Sequence, residues 1–203
     1  MDMPADRRTE LLDKIVAALL TSGVGDLSLR PLAERVGSSA RLLIYHFESK
    51  ENLITAALAR VRSRIQTSLA EQSRRERPQS LRALLMMVWE WATDATNQPY
   101  FRLLFEVDGL AMFDRISLSD AVKQAGSATW ITRIEQAAAT LPIDGAVFAA
   151  HSTLIQGAFA GLLQEFLSTG DRERTTAALV ALIDLVAASA PAQSRKPQDL
   201  THD

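Results

Sequence analysis

No cysteine occurs in the 203 residues, which excludes disulfide frameworks and thiolate chemistry together. Histidine is nearly as scarce, with only His46, His151 and His202. An enzyme would need His151 with a carboxylate partner, and the sequence singles none out. The HExxH, GxSxG and GxxxxGKS patterns are also missing, so no catalytic residue, metal site or cofactor is expected. No apolar run is long enough to span a bilayer, and the opening MDMPADRRTE has no hydrophobic leader. A cytoplasmic protein with no membrane partner is expected. Period-two alternation is absent, which leaves out strands. With 47% hydrophobic but only 6% aromatic residues, the apolar content is mostly aliphatic, as in a helical protein.

Charge of one sign is lacking too. The net charge of −2 argues against a polyanion ligand until its distribution is considered. Residues 1–77 hold 13 Lys and Arg against 10 Asp and Glu, a net of +3; residues 78–203 hold 9 against 14, a net of −5. A basic end ahead of an acidic remainder is the pattern expected when one end alone meets phosphate.

The basic end contains the most informative stretch, Ser28 to Lys50, SLRPLAERVGSSARLLIYHFESK. Leu29, Leu32, Ala33 and Val36 recur at helical period, with Ser28 in the N-cap position and Pro31 in the first turn. Because Pro31 has no N–H, the Ser28 hydroxyl is expected to reach the Arg30 amide. Gly37 allows the chain to reverse, and Ser38 or Ser39 can cap a second short helix over Ala40–Phe47. Leu43 and Phe47, four apart, point to one face and suit packing, as does Leu42. Two helices joined by a short Gly-containing turn outline a helix-turn-helix.

Tyr45-His46-Phe47 followed by Ser49-Lys50-Glu51-Asn52-Leu53 resembles the end of the DNA-binding domain in the TetR/AcrR family of bacterial transcription regulators. Leu32, Ala33, Gly37, Ser39, Leu43, His46, Phe47, Ser49, Lys50, Glu51 and Leu53 carry the resemblance. Two positions depart from it: Ile44 stands where the family usually has a DNA-touching Tyr, and Glu48 replaces a common Pro. The resemblance implies an all-α fold, with a three-helix helix-turn-helix head on a helical ligand-binding and dimerisation body. Its DNA-facing set is Ser28, Arg30, Ser39, Ala40, Arg41, Ile44, Tyr45, His46 and Lys50. Arg30 and Arg41 can pair with guanine, whereas Tyr45, His46 and Lys50 suit phosphate.

Along the chain, residues 1–6 are expected to be disordered and a helix to run from 7 to 21. Lys50 opens a long helix to about 72, and the polar stretch SRRERPQS over 73–80 separates body helices. Further helices are expected over 79–96, 99–107, 117–140, 144–168 and 172–189, each stopped by Pro or Gly. The domain boundaries expected are 1–52 for the head, 53–190 for the body and 191–203 for a disordered tail.

In the body, Leu81, Leu84, Leu85 and Val88 make one apolar stripe, and Met87 and Trp91 mark a second face of the same helix. A helix apolar on two faces touches two neighbours, or a neighbour and a cavity. Met87, Trp91, Phe101, Phe105, Met112, Trp130, His151 and Gln156 are therefore candidate pocket residues, with core packing as the alternative. Gly157 and Gly161 leave room for close helix approach. With Phe148, Ile155, Phe159, Val180 and Ile183 they could form half of a four-helix bundle across a dimer axis, or could pack within the monomer.

The reading that joins these features is a homodimeric repressor, bound to a palindromic double-stranded operator and released by an apolar small molecule. The alternatives are a small all-α enzyme and a helical sensor whose head binds protein.

Overall fold

The computed structural model describes residues 4–25, 27–116 and 145–188. Among them are eight helices and no strand: α1 Pro4–Ser22, α2 Leu29–Arg35, α3 Ala40–Phe47, α4 Lys50–Glu76, α5 Leu81–Thr93, α6 Gln98–Met112, α7 Gly145–Thr169 and α8 Arg172–Ala188. The helix expected over 117–140, Trp130 within it, and the tail from 191 lie outside the described residues.

Serine hydroxyls start three of these helices. Ser39 Oγ accepts from the Leu42 amide at 3.2 Å, Ser49 Oγ from Asn52 at 3.0 Å and Ser80 Oγ from Ala83 at 3.1 Å. Ser28 departs from expectation: it occupies the N-cap of α2 with extended backbone, but its side chain makes no capping bond. With Pro31 in the first turn, the usual N3 donor is gone, and the hydroxyl stays exposed. Helix ends differ as well. α1 begins at Pro4, and α4 runs beyond Gln72 to Glu76. α5 stops at Thr93, and α6 passes straight through Gly109 to Met112. Glycine inside a helix costs only about 1 kcal/mol relative to alanine. Buried Leu103 and Val107 hold this face of α6 against the core.

Helix α4 joins the two ends of the molecule. It packs on α1 and α3 and also on α5 and α6, with Leu53, Ile54, Leu58, Val61, Ile65 and Leu69 buried. The α1–α4 contact is reinforced by charge. Asp13 accepts from Arg60 Nε at 2.8 Å and Nη2 at 3.0 Å, and from Arg64 Nη2 at 2.9 Å. The Arg60 hydrogen bonds hold the Asp13 carboxyl below its ordinary value, against the opposing effect of burial. A depressed carboxylate contributes stability above its unfolded value of about 3.9 and loses it as pH falls through the folded value. Urea midpoints of wild type and Asp13→Asn should therefore differ most at neutral pH and converge on acidification below about pH 4. A difference that grew toward acid would contradict the assignment.

Helix α5 lies at the centre of the body, in contact with α4, α6, α7 and α8. That surrounds it with protein, which explains why it is apolar on two faces. Trp89 is fully buried, edge-on to Phe159 at 5.4 Å and to Phe166 at 6.4 Å, and its indole N–H donates to Thr176 Oγ1 at 2.8 Å. Helices α7 and α8 form an antiparallel hairpin that turns at Gly170, where φ is +75°.

Candidate nucleic-acid interface

Helices α2 and α3 pack on each other, and α3 rests on α4 through Leu43 and Phe47, both buried. Inward placement of these two residues turns Arg41, Ile44 and Tyr45 outward, at i, i+3 and i+4 on the opposite face. Tyr45 is 78% exposed and Ile44 39%. Ser28, Arg30, Ser39 and Arg41 are exposed; Ala40, His46 and Lys50 are partly so. All nine residues expected to face DNA are thus accessible on the head. Among the described residues no ion pair engages Arg30, Arg41 or Lys50.

The end of α3 is held by two devices absent from the sequence reading. Arg8, on α1, donates from Nε to the His46 carbonyl at 3.2 Å and sets its guanidinium 5.0 Å over the Phe47 ring. A cation there complements the negative end of the helix dipole. Beyond it, Glu48 adopts φ +67° and ψ −45°, and the Ser49 amide donates to the Phe47 carbonyl at 2.7 Å. This is a γ-turn of the rare, strained hand. Proline, with φ fixed near −65°, could not take this backbone. The Glu48 carboxylate also accepts from Asn52 Nδ2 at 3.3 Å, on the first turn of α4.

In the body, the expected pocket residues separate. Trp91 is packed edge-on to Phe101 at 5.7 Å and donates from its indole to Ser68 Oγ at 3.0 Å; Met87 is buried beside them on α5. These three serve as core. Phe105, His151 and Gln156 are partly buried, whereas Met112 is 78% exposed at the end of α6.

The expected dimer set also divides. Ile155, Phe159 and Ile183 face the protomer's own core, which corrects their assignment to an interface. Their period turns a different set outward: Ala150, Leu154, Gly157 and Gly161 on α7, with Ala178, Ala181, Leu185 and Ala188 on α8. Leu154 and Leu185 are more than half exposed, and a Cβ at Gly157 or Gly161 would meet open space. Val180 is partly buried, and the Phe148 side chain lies outside those described.

Residues 11–57, from within α1 to the second turn of α4, match the sequence model described as bacterial regulatory proteins, tetR family. No curated protein matches the chain. A crystal structure assigned to a TetR-family transcriptional regulator from Rhodococcus sp. superposes with a TM-score of 0.66 at 22% identity, covering 90% of this chain and 98% of that one. Similarity at that identity speaks for the helical fold over both head and body.

Proposed function

We propose that the chain, whose residues 11–57 match the tetR-family model and stand in front of a helical body, is a TetR-family regulator of transcription, a DNA-binding protein and not an enzyme, and that it acts as a homodimeric repressor on a palindromic operator. The observation that carries this reading is the outer face of α3, where Arg41, Ile44 and Tyr45 stand exposed while Leu43 and Phe47 anchor the helix. Exposed arginines beside an exposed apolar side chain suit the major groove, where guanine offers two acceptors and thymine a methyl group. Lys50, on the first turn of α4, suits a phosphate that sets register.

A second protomer supplies the symmetry a palindrome requires. The exposed face of small and apolar residues on α7 and α8 supports that partner. Two such hairpins would make a four-helix bundle, with the glycines admitting close approach. Effector release is the regulatory part of the proposal. An apolar molecule held in the body beside Phe105 would act by favouring a conformation whose heads misfit the operator.

Selection from randomised duplexes tests the DNA reading and should return an inverted repeat, its half-sites one helical turn or a multiple apart. Recovery of no preferred sequence would reject it. The dimer is tested by Gly161→Arg. Because open space surrounds that position in the protomer, the variant should fold yet sediment as a monomer and lose operator binding. An unchanged dimer would place the interface elsewhere.

A further inference from the structure

Between α1 and α2 the chain turns through Gly23, Val24 and Gly25, and this turn is gripped from the body. The Val24 amide donates to Glu106 Oε2 at 3.0 Å, and the Gly25 amide donates to Glu106 Oε1 at 2.8 Å. Successive N–H groups converging on one anion form a nest, a strong and directional arrangement because the acceptor is charged. Here the anion is a side chain of α6, more than eighty residues along the chain.

The glycines make the approach possible. Gly23 takes φ +70°, and a Cβ there would run into the Glu106 carboxylate; a Cβ at Gly25 would lie 3.1 Å from Oε1. Glu106 cannot follow the turn freely, because its helix is anchored on either side by Leu103 and Val107, at 2% and 1% exposure. The turn leads directly into α2, which packs on α3. A displacement of α6 relative to the body must therefore either pull the α1–α2 turn with it or break both hydrogen bonds. Two open clefts flank the contact and both are lined by Glu106. One, of about 270 Å³, lies against Ser28, Pro31 and Leu32; the other, of about 420 Å³, lies against Leu19, Pro99 and Arg102. The carboxylate thus bridges a gap and is not packed into a solid interface.

We propose that Glu106 is a positioning residue for DNA recognition: by chelating the α1–α2 turn it fixes the angle at which the body presents α2 and α3. The inference rests on the DNA-binding reading above, and it adds a residue that lies outside the head and touches no DNA. Its action is through the Val24 and Gly25 amides alone.

The test uses the full-length protein with operator DNA obtained by selection and with random duplex, titrated at several salt concentrations. Glu106→Ala should weaken operator binding about tenfold, within the usual range of coupling between separate sites. Binding to random duplex should not fall, and the salt dependence should be unchanged, because the cations that hold phosphate are all still present. Glu106→Gln, which keeps one oxygen for one amide, should fall between Ala and wild type. Hydrogen exchange at Val24 and Gly25 should accelerate in the same order. Equal losses on operator and random DNA, or an Ala variant that binds the operator as wild type does, would overturn the proposal. If wild type itself shows no sequence preference, both readings fall; if wild type discriminates and Glu106→Ala does so equally well, this one falls alone.

Discussion

Arg41→Ala is expected to cost the operator complex about 2–6 kcal/mol, since a bidentate arginine–guanine pair contributes about 1–3 kcal/mol and the proposed twofold site would contain it twice. Arg41 is exposed near the start of α3, on the outward face shared with Ile44 and Tyr45, and no ion pair among the described residues competes for it. Its loss should also relax the preference at one base pair in each half-site. Repeating the sequence selection with the variant would show this directly. The contrast is Lys50→Ala, which should weaken all duplexes alike and lower the salt slope by about 0.9 for each phosphate the lysine had neutralised. Should Arg41→Ala behave in that second way, the arginine holds backbone and another residue reads the base. Arg30, exposed on α2, is the next to examine.

Trp89→Ala should remove about 3–5 kcal/mol of folding stability, the range for truncating a large buried aromatic. The side chain is fully buried on α5, between Phe159 and Phe166 of α7, and its N–H is satisfied by Thr176 of α8. One substitution therefore opens a cavity where three helices meet and removes a hydrogen bond at the same place. Domains are commonly stable by only about 5–15 kcal/mol, so the loss would be a large share of the total. Urea unfolding followed by far-ultraviolet circular dichroism measures it. Trp89→Phe, which keeps an apolar ring, should lose less. A loss below about 1 kcal/mol for the alanine variant would mean that α5 is not the centre of the body.

What could be read before folding was what short-range chemistry decides. The length of α3, a serine cap at Ser38 or Ser39 (it is Ser39), the inward pair Leu43 and Phe47, and the reversal at Gly37 all depend on neighbours within one or two turns. Helix ends were less legible where glycine was the only signal. Gly109 has too small an intrinsic cost to stop a helix whose adjoining residues are buried. The inner and outer faces of α7 could not be told apart for another reason. That helix is apolar nearly all round, so periodicity marks no side, and Ile155 and Phe159 looked as suited to a partner as to the core. Arg8 and Glu106 left no trace at all. Each acts on backbone groups, those of His46 and of Val24 and Gly25, and a backbone acceptor or donor has no residue signature.

The length of α4 has a mechanical consequence. Its 27 residues, at about 1.5 Å of rise each, make a rod of about 40 Å whose first turn follows immediately on the γ-turn that ends α3. Pivoting such a rod by about 5° at its far end sweeps the near end through about 3.5 Å, close to the rise of one base pair along a strand. A tilt that shifts Ile65 and Leu69 by only about 1 Å is therefore enough to carry the outer face of α3 from one base step to the next.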